Sequence, residues 1–165
     1  MAENYSFDIV SDFDRQELVN ALDQAKREIS QRYDLKGTDT ELKLEKDKIL
    51  ITTNSDLTLN SVNDIIKQKA IKRKLSLKIF EYGLIESVGG NKVKQAITLK
   101  QGLNQEIAKK ISKHIRDQFK KINVSINGET LRVASKSKND LQSVIKLLEK
   151  LEESFNIPLN ANNFR

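Results

Sequence analysis

Apolar and polar residues alternate along Tyr5-Ser-Phe-Asp-Ile-Val10, the period-two pattern of a half-buried strand. From Asp14 the period changes. Leu18, Leu22, Ala25 and Ile29 recur three or four apart, which gathers them on one stripe of a helix. Asp14 followed by Glu17 is a capping-box start with Asp in place of the usual Ser or Thr. The helix is expected to stop near Asp34-Leu-Lys-Gly37, where glycine can take a positive φ. Glu41–Glu45 and Lys48–Thr52 read as two strands joined at Lys46-Asp47, with Leu42, Leu44, Ile49 and Ile51 facing inward. A second helix over Leu57–Lys74 would bury Leu59, Val62, Ile66 and Ala70, and Ser76–Tyr82 is expected to form a fourth strand. Gly83–Asn91, with its Gly89-Gly90 pair, reads as a linker.

The order then recurs. Lys92–Leu99 has a strand pattern, and Asn104–Lys121 a helical one with Ile107, Ile111, Ile115 and Phe119 on one face. Val124–Ile126 and Thr130–Ala134 predict a hairpin around Asn127-Gly128, the strongest short turn signal in the chain. Ser137 and Asp140 open a helix carrying Leu141, Val144, Ile145, Leu148 and Leu151. The tail from Ile157 to Arg165 can add a last strand, which Pro158 places at an edge. Two passes of β-α-β-β-α-β in 165 residues predict an α+β protein of tandem ferredoxin-like repeats (the RNP-like α/β plait), residues 1–88 and 89–165. Each would be a four-stranded antiparallel sheet with two helices on one face, the other face being free of the repeat's own helices.

Several blocks resemble the YajQ family of bacterial proteins: Ser6-Phe-Asp-Ile-Val-Ser11, Arg32-Tyr-Asp-Leu-Lys-Gly37, Gln95-Ala-Ile-Thr-Leu-Lys-Gln-Gly102, Ile107-Ala-Lys-Lys-Ile-Ser-Lys113 and the terminal Asn163-Phe-Arg165. They span the chain and keep their order. The resemblance implies that the first strands of the two units are exchanged, so that Tyr5–Val10 completes the second sheet and Lys92–Leu99 the first. It also implies nucleotide binding, with nucleic acid and cyclic dinucleotides as the proposed ligands, and no agreed catalytic site.

The absence of cysteine excludes disulfides, thiolate nucleophiles and cysteine-ligated metals, and fits a reducing cytoplasm. No run approaches the roughly 18 to 20 apolar residues of a membrane span, and the first residues have neither a basic nor an apolar signal segment. No phosphate-binding Gly-rich loop occurs. His114, the single histidine, lies beside an apolar stripe and is expected to be a partly buried helix residue. No serine or carboxylate sits in a recognisable catalytic arrangement. The expectation is a protein that is not an enzyme and needs no cofactor or metal.

The net charge of +6 is unevenly spread. Residues 1–88 hold 14 Lys+Arg against 16 Asp+Glu, net −2, and residues 89–165 hold 15 against 7, net +8. That asymmetry suggests an anionic partner, most commonly nucleic acid, unless the basic surface serves solubility alone. Four features could hold an anion. Lys109, Lys113, Arg116 and Lys120 recur at helical spacing as a basic stripe, either a phosphate track or ordinary solvated surface. Lys67, Lys69, Lys72, Arg73 and Lys74 crowd one helix end, where part of the cluster complements the helix dipole. Lys92, Lys94 and Lys100 share a strand face with Ala96 and Thr98. With the strand exchange they would join the sheet of Lys78, Phe80 and Tyr82, whose rings could stack bases, unless that face packs on the other domain. Arg32, Tyr33 and Lys36 gather a guanidinium, a ring and an ammonium at a helix exit, a nucleotide site or a structural corner held by Arg32 and Asp34.

The third strands, Lys48–Thr52 and Thr130–Ala134, contain no aromatic, which argues against sequence-specific reading of the RRM kind. The leading expectation is a nucleic-acid binder. The alternatives are a receptor for a small nucleotide such as a cyclic dinucleotide, held in one pocket or between domains, and a protein-interaction module.

Overall fold

The computed structural model describes residues 5–165. Its elements run β1 (Tyr5–Val10), α1 (Arg15–Gln31), β2 (Glu41–Leu44), β3 (Lys48–Thr53), α2 (Asp56–Lys72), β4 (Phe80–Tyr82), β5 (Glu86–Val88), β6 (Lys92–Leu99), α3 (Gln105–Gln118), β7 (Asn123–Asn127), β8 (Thr130–Ser135), α4 (Lys138–Phe155) and β9 (Asn160–Asn162). Each helix starts on a side-chain cap that takes up amide donors left over in the first turn. Asp14 accepts from the amides of Gln16 and Glu17, Ser55 from Thr58, Asn104 from Ile107 and Ser137 from Asp140.

The strands form two antiparallel sheets, ordered β7-β8-β1-β9 and β2-β3-β6-β4, with β5 also paired to β6. The exchange implied by the resemblance is present: β1 lies between β8 and β9, and β6 between β3 and β4. The chain accordingly forms two compact units. One joins the segment ending at Asp12 to Gln101–Arg165; the other is Phe13–Lys100. We call them the discontinuous and the continuous unit.

In the continuous unit, Ile49, Ile51, Ile97 and Leu99 from the sheet meet Leu18, Leu22, Ala25, Leu59, Val62 and Ile66 from α1 and α2. The expected linker is not one. Gly89, Gly90 and Asn91 form a tight turn, Gly90 and Asn91 both at positive φ, and Val88 pairs with Lys92 across it. The chain therefore doubles back from β5 into β6, and this local hairpin brings β6 to the first sheet. Gly83 is required by close approach, because a Cβ there would stand 2.8 Å from the carbonyl oxygen of Ala96.

The expected strand Ser76–Tyr82 is also shorter. Ser76 caps a 3-10 turn over Leu77–Ile79, accepting from the amide of Lys78, so only Phe80–Tyr82 remains extended. Helix α3 ends at Gln118, three residues before its expected limit, with Phe119 as its cap. In the discontinuous unit, Phe7, Ile9, Leu131 and Val133 pack on Ala108, Ile111, Ile115, Val144, Leu148 and Leu151. Pro158 precedes an edge strand, as expected.

Candidate functional site

Regrouping the chain by unit changes its charge distribution. The discontinuous unit holds 12 Lys+Arg against 10 Asp+Glu, net +2, and the continuous unit 17 against 13, net +4. Strand β6 carries Lys92 and Lys94 into the continuous unit, with Lys100 just after it, while the segment ending at Asp12 brings Asp8 and Asp12 to the other. The +8 and −2 of the sequence halves thus belong to no folded unit. Within each unit the cations differ in whether they already have an internal carboxylate.

In the continuous unit Arg32, Lys43, Lys48, Lys69, Arg73 and Lys92 do. Lys69 Nζ lies 2.9 Å from Glu28, Arg73 pairs with Glu17 at 3.7 Å, and Lys92 bonds Asp39. The hydrogen bond from Lys69 and the charges of Lys69, Arg32 and Lys72 outweigh burial and hold the Glu28 carboxyl below its usual range. Arg32 caps α1 and contacts Asp34 at 2.8 Å and Glu28 at 3.6 Å, the structural corner that was one of two readings of this block. Tyr33 is 89% exposed beside it, with Lys36 Nζ 5.7 Å from its ring centre. A cavity of about 310 Å³ adjoins this corner, lined by Lys26, Lys36, Gly37 and Thr40 among others.

The expected stacking platform is not formed. Phe80 pairs with Leu99 and Tyr82 with Ile97, and directly paired residues point to the same sheet face. Both rings therefore lie on the helix-covered side. Phe80 is only 5% exposed, and Lys67 of α2 stands 5.2 Å from the Tyr82 ring. Lys78 sits in the 3-10 turn. Lys92 and Lys94 alternate with the buried Gln95 and Ile97, so they occupy the helix-free face as expected, separated from the rings by the sheet, while Lys100 lies just past the strand end. The physical reason is the 3-10 turn: it breaks the period-two pattern between Lys78 and Phe80. Gln95, an unexpected polar group on the core side, donates to the Gly83 carbonyl at 2.9 Å and accepts from Asn63 at 3.0 Å.

The helix-free face of the discontinuous unit is largely polar. One row crosses Ser125, Arg132, Asp8 and Asn162 in register. Asp8 receives Arg132 Nε at 3.0 Å and Asn163 Nδ2 at 3.0 Å. Burial pushes its carboxyl up, but these bonds and the charges of Arg132 and Arg165 pull it further down, to a net value below the ordinary 3.8. A lowered folded-state value means that the ionised form stabilises the fold. That stability is complete above pH 3.8 and is lost as pH falls through the lowered value. Asp8→Asn should cost about 1 kcal/mol at neutral pH, because water competes for the partly exposed Arg132. It should also flatten the acid limb of a melting-temperature profile; an unchanged limb would show that Asp8 does not carry it.

The basic stripe on α3 is in place, with one change. Lys109, Lys113 and Arg116 lie along one exposed helix face, whereas Lys120 comes two residues after the helix end. Lys120 instead lines a cavity of about 430 Å³ with Lys121, Lys136, Ser135, Ser137 and Asp140. No ion pair with any described residue engages Lys109, Lys113, Arg116, Lys120, Lys121 or Lys136. Lys121 and Lys136 complete an array the helical spacing could not disclose, because it crosses from a helix end to the loop after β8. His114 is exposed, not partly buried, and lies within 3.3 Å of Gln118. Among the described residues no group of His, Asp or Glu could hold a metal, and no helix is long and apolar enough to cross a membrane.

Two sheets of ferredoxin-like topology, each completed by the first strand of the other sequence repeat, define a tandem α/β-plait protein with exchanged strands. The chain belongs to the YajQ family: the family model described as nucleotide-binding protein YajQ-like matches residues 5–165. It is 81% identical, over the whole of both chains, to a nucleotide-binding protein of Prochlorococcus marinus strain MIT 9515. It is 54% identical over the same full length to a nucleotide-binding protein of Parasynechococcus marenigrum.

Proposed function

We propose that this protein binds nucleic acid without catalysing a reaction, holding phosphates on the array of Lys109, Lys113, Arg116, Lys120, Lys121 and Lys136. The observation that carries this reading is the lack of carboxylate partners: these six cations have none among the described residues, unlike Lys69, Arg73, Arg32 and Lys92. A cation without an internal carboxylate is free to neutralise a phosphate, and the counterions then released from the nucleic acid drive binding. The nucleotide-binding names of the full-length relatives agree with a phosphate ligand. Contacts to phosphates carry no base information, so the contact is sequence-independent in kind.

Replacing Lys109, Lys113, Arg116 and Lys120 together with Gln retains good helix propensity, so the fold survives. The slope of log affinity against log salt should shrink by up to about 0.9 per lost contact on duplex DNA and about 0.7 on single strands. An unaltered slope would mean that the array is ordinary solvated surface. The second reading, a receptor for one small nucleotide, is favoured by the 310 Å³ cavity beside Tyr33 and Lys36. It predicts an affinity that tolerates salt and falls on Lys36→Gln.

A further inference from the structure

A second cleft, of about 290 Å³, lies on the helix-covered side of the discontinuous unit between β1, α4 and the chain end. Tyr5 and Phe164 stand on its walls, and Leu141 and Ile145 supply apolar lining. The two rings are held in place yet left open. Phe164 stacks on the fully buried Phe7 at 5.7 Å with 27° between the planes, and remains 63% exposed. The backbone of Arg165 exchanges both hydrogen bonds with Ser6, which fixes the segment that presents Phe164. Tyr5 is 44% exposed, with Lys138 Nζ 5.7 Å from its ring centre. Gln142 adds one amide, donor and acceptor together, at the rim.

This cleft adjoins the lysine cavity by register. Tyr5 pairs directly with Ser135, which lines that cavity, and antiparallel partners have Cα atoms about 4.5–5.5 Å apart. Lys136 and Ser137 then lead into Lys138, the first residue of α4. The opening turn of α4 thus has lysines on one flank and a pair of exposed rings on the other. Duplex bases are stacked inside the helix and cannot enter a cleft of this kind, whereas single-strand bases can stack on side-chain rings. An aliphatic partner side chain would use the apolar lining but not the amide and the ammonium at the rim.

We propose that Tyr5 and Phe164 form a base-stacking subsite which, with the phosphate contacts of Lys120, Lys121 and Lys136, makes this unit a binder of single-stranded nucleic acid. The inference rests on the nucleic-acid reading above. Its test is the double variant Tyr5→Val, Phe164→Leu, which keeps strand propensity and the apolar contact on Phe7 while removing both rings. The probes are a 12-mer of deoxythymidylate, a 12-mer of uridylate and a 12-base-pair duplex, each titrated at two salt concentrations. Stacking is worth about 1–3 kcal/mol per base, so the affinity for both single strands should fall roughly 5- to 150-fold with an unchanged salt slope. A fall confined to one of the two would identify that strand as the ligand. Duplex affinity should stay within about twofold. Single-strand affinity within about twofold of the parent protein, at an unchanged melting temperature, would overturn the proposal and leave the cleft to a protein side chain. An equal loss on the duplex would overturn it too. In either case the slope change of the four-Gln variant would still stand as the separate test of phosphate binding.

Discussion

A fragment ending at residue 88 will not fold, whereas a fragment running from Phe13 to Lys100 will melt cooperatively. The shorter cut retains both helices and the β2–β3 hairpin, but it removes β6, the strand between β3 and β4. Ile49 then loses Ile97, Phe80 loses Leu99, and the Gln95 bonds to Asn63 and Gly83 disappear. Burial of Ile97 and Leu99 alone is worth about 1.5–3 kcal/mol each. Loss of the six-residue ladder with β3 also exposes backbone donors and acceptors in the middle of the sheet. Since a domain is stable by only about 5–15 kcal/mol, that loss exceeds the margin. Circular dichroism and amide dispersion in NMR spectra would read the result. A cooperative melt of the fragment ending at residue 88 would refute the dependence on β6.

Periodicity made most of this fold legible, and its failures have identifiable causes. Leu18, Leu22, Ala25 and Ile29 on α1, and Ile97 and Leu99 on β6, are buried where their spacing put them. A period, however, speaks only for residues within one regular element. At Ser76 the chain makes a 3-10 turn, and Ile79 and Phe80, neighbours in sequence, are both buried. Counting by twos from Lys78 through that turn therefore assigned Phe80 and Tyr82 to the wrong face. Gly89-Gly90 was a hairpin signal as well as a linker signal. Taking it as a linker hid the reason for the strand exchange, which no local pattern states, since it concerns which sheet a strand joins.

The candidate site was legible in part for the same reason. Lys109, Lys113 and Arg116 share one helix and were found by spacing. Lys121 and Lys136 come from different elements, and only the β7–β8 pairing brings their segments together. Tyr5 and Phe164 lie 159 positions apart, and the first pointer to them is the backbone pairing of Ser6 with Arg165. The charge split misled because strand exchange moves charged residues between units. Exposed rings beside cations without carboxylate partners are features of the folded chain.

Phe7→Ala should destabilise the discontinuous unit by about 3–5 kcal/mol, and Phe164→Ala by much less. Phe7 has no exposed surface, pairs with Val133 across β8, and packs in the cluster with Ile111, Val144 and Leu148. Its removal leaves a cavity that strands on either side cannot close without shifting the ladder. Phe164 stacks on Phe7 at the edge of this cluster, and most of its surface is already exposed to water. Deleting it exchanges one stacked contact, worth about 0.5–1.5 kcal/mol, for a partly exposed Phe7 ring face. Urea unfolding followed by amide protection in β8 would separate the two costs. A loss from Phe164→Ala as large as that from Phe7→Ala would make Phe164 a staple of the core. A small loss, together with weakened single-strand binding, would mean that this ring is displayed for a ligand and contributes little to the fold.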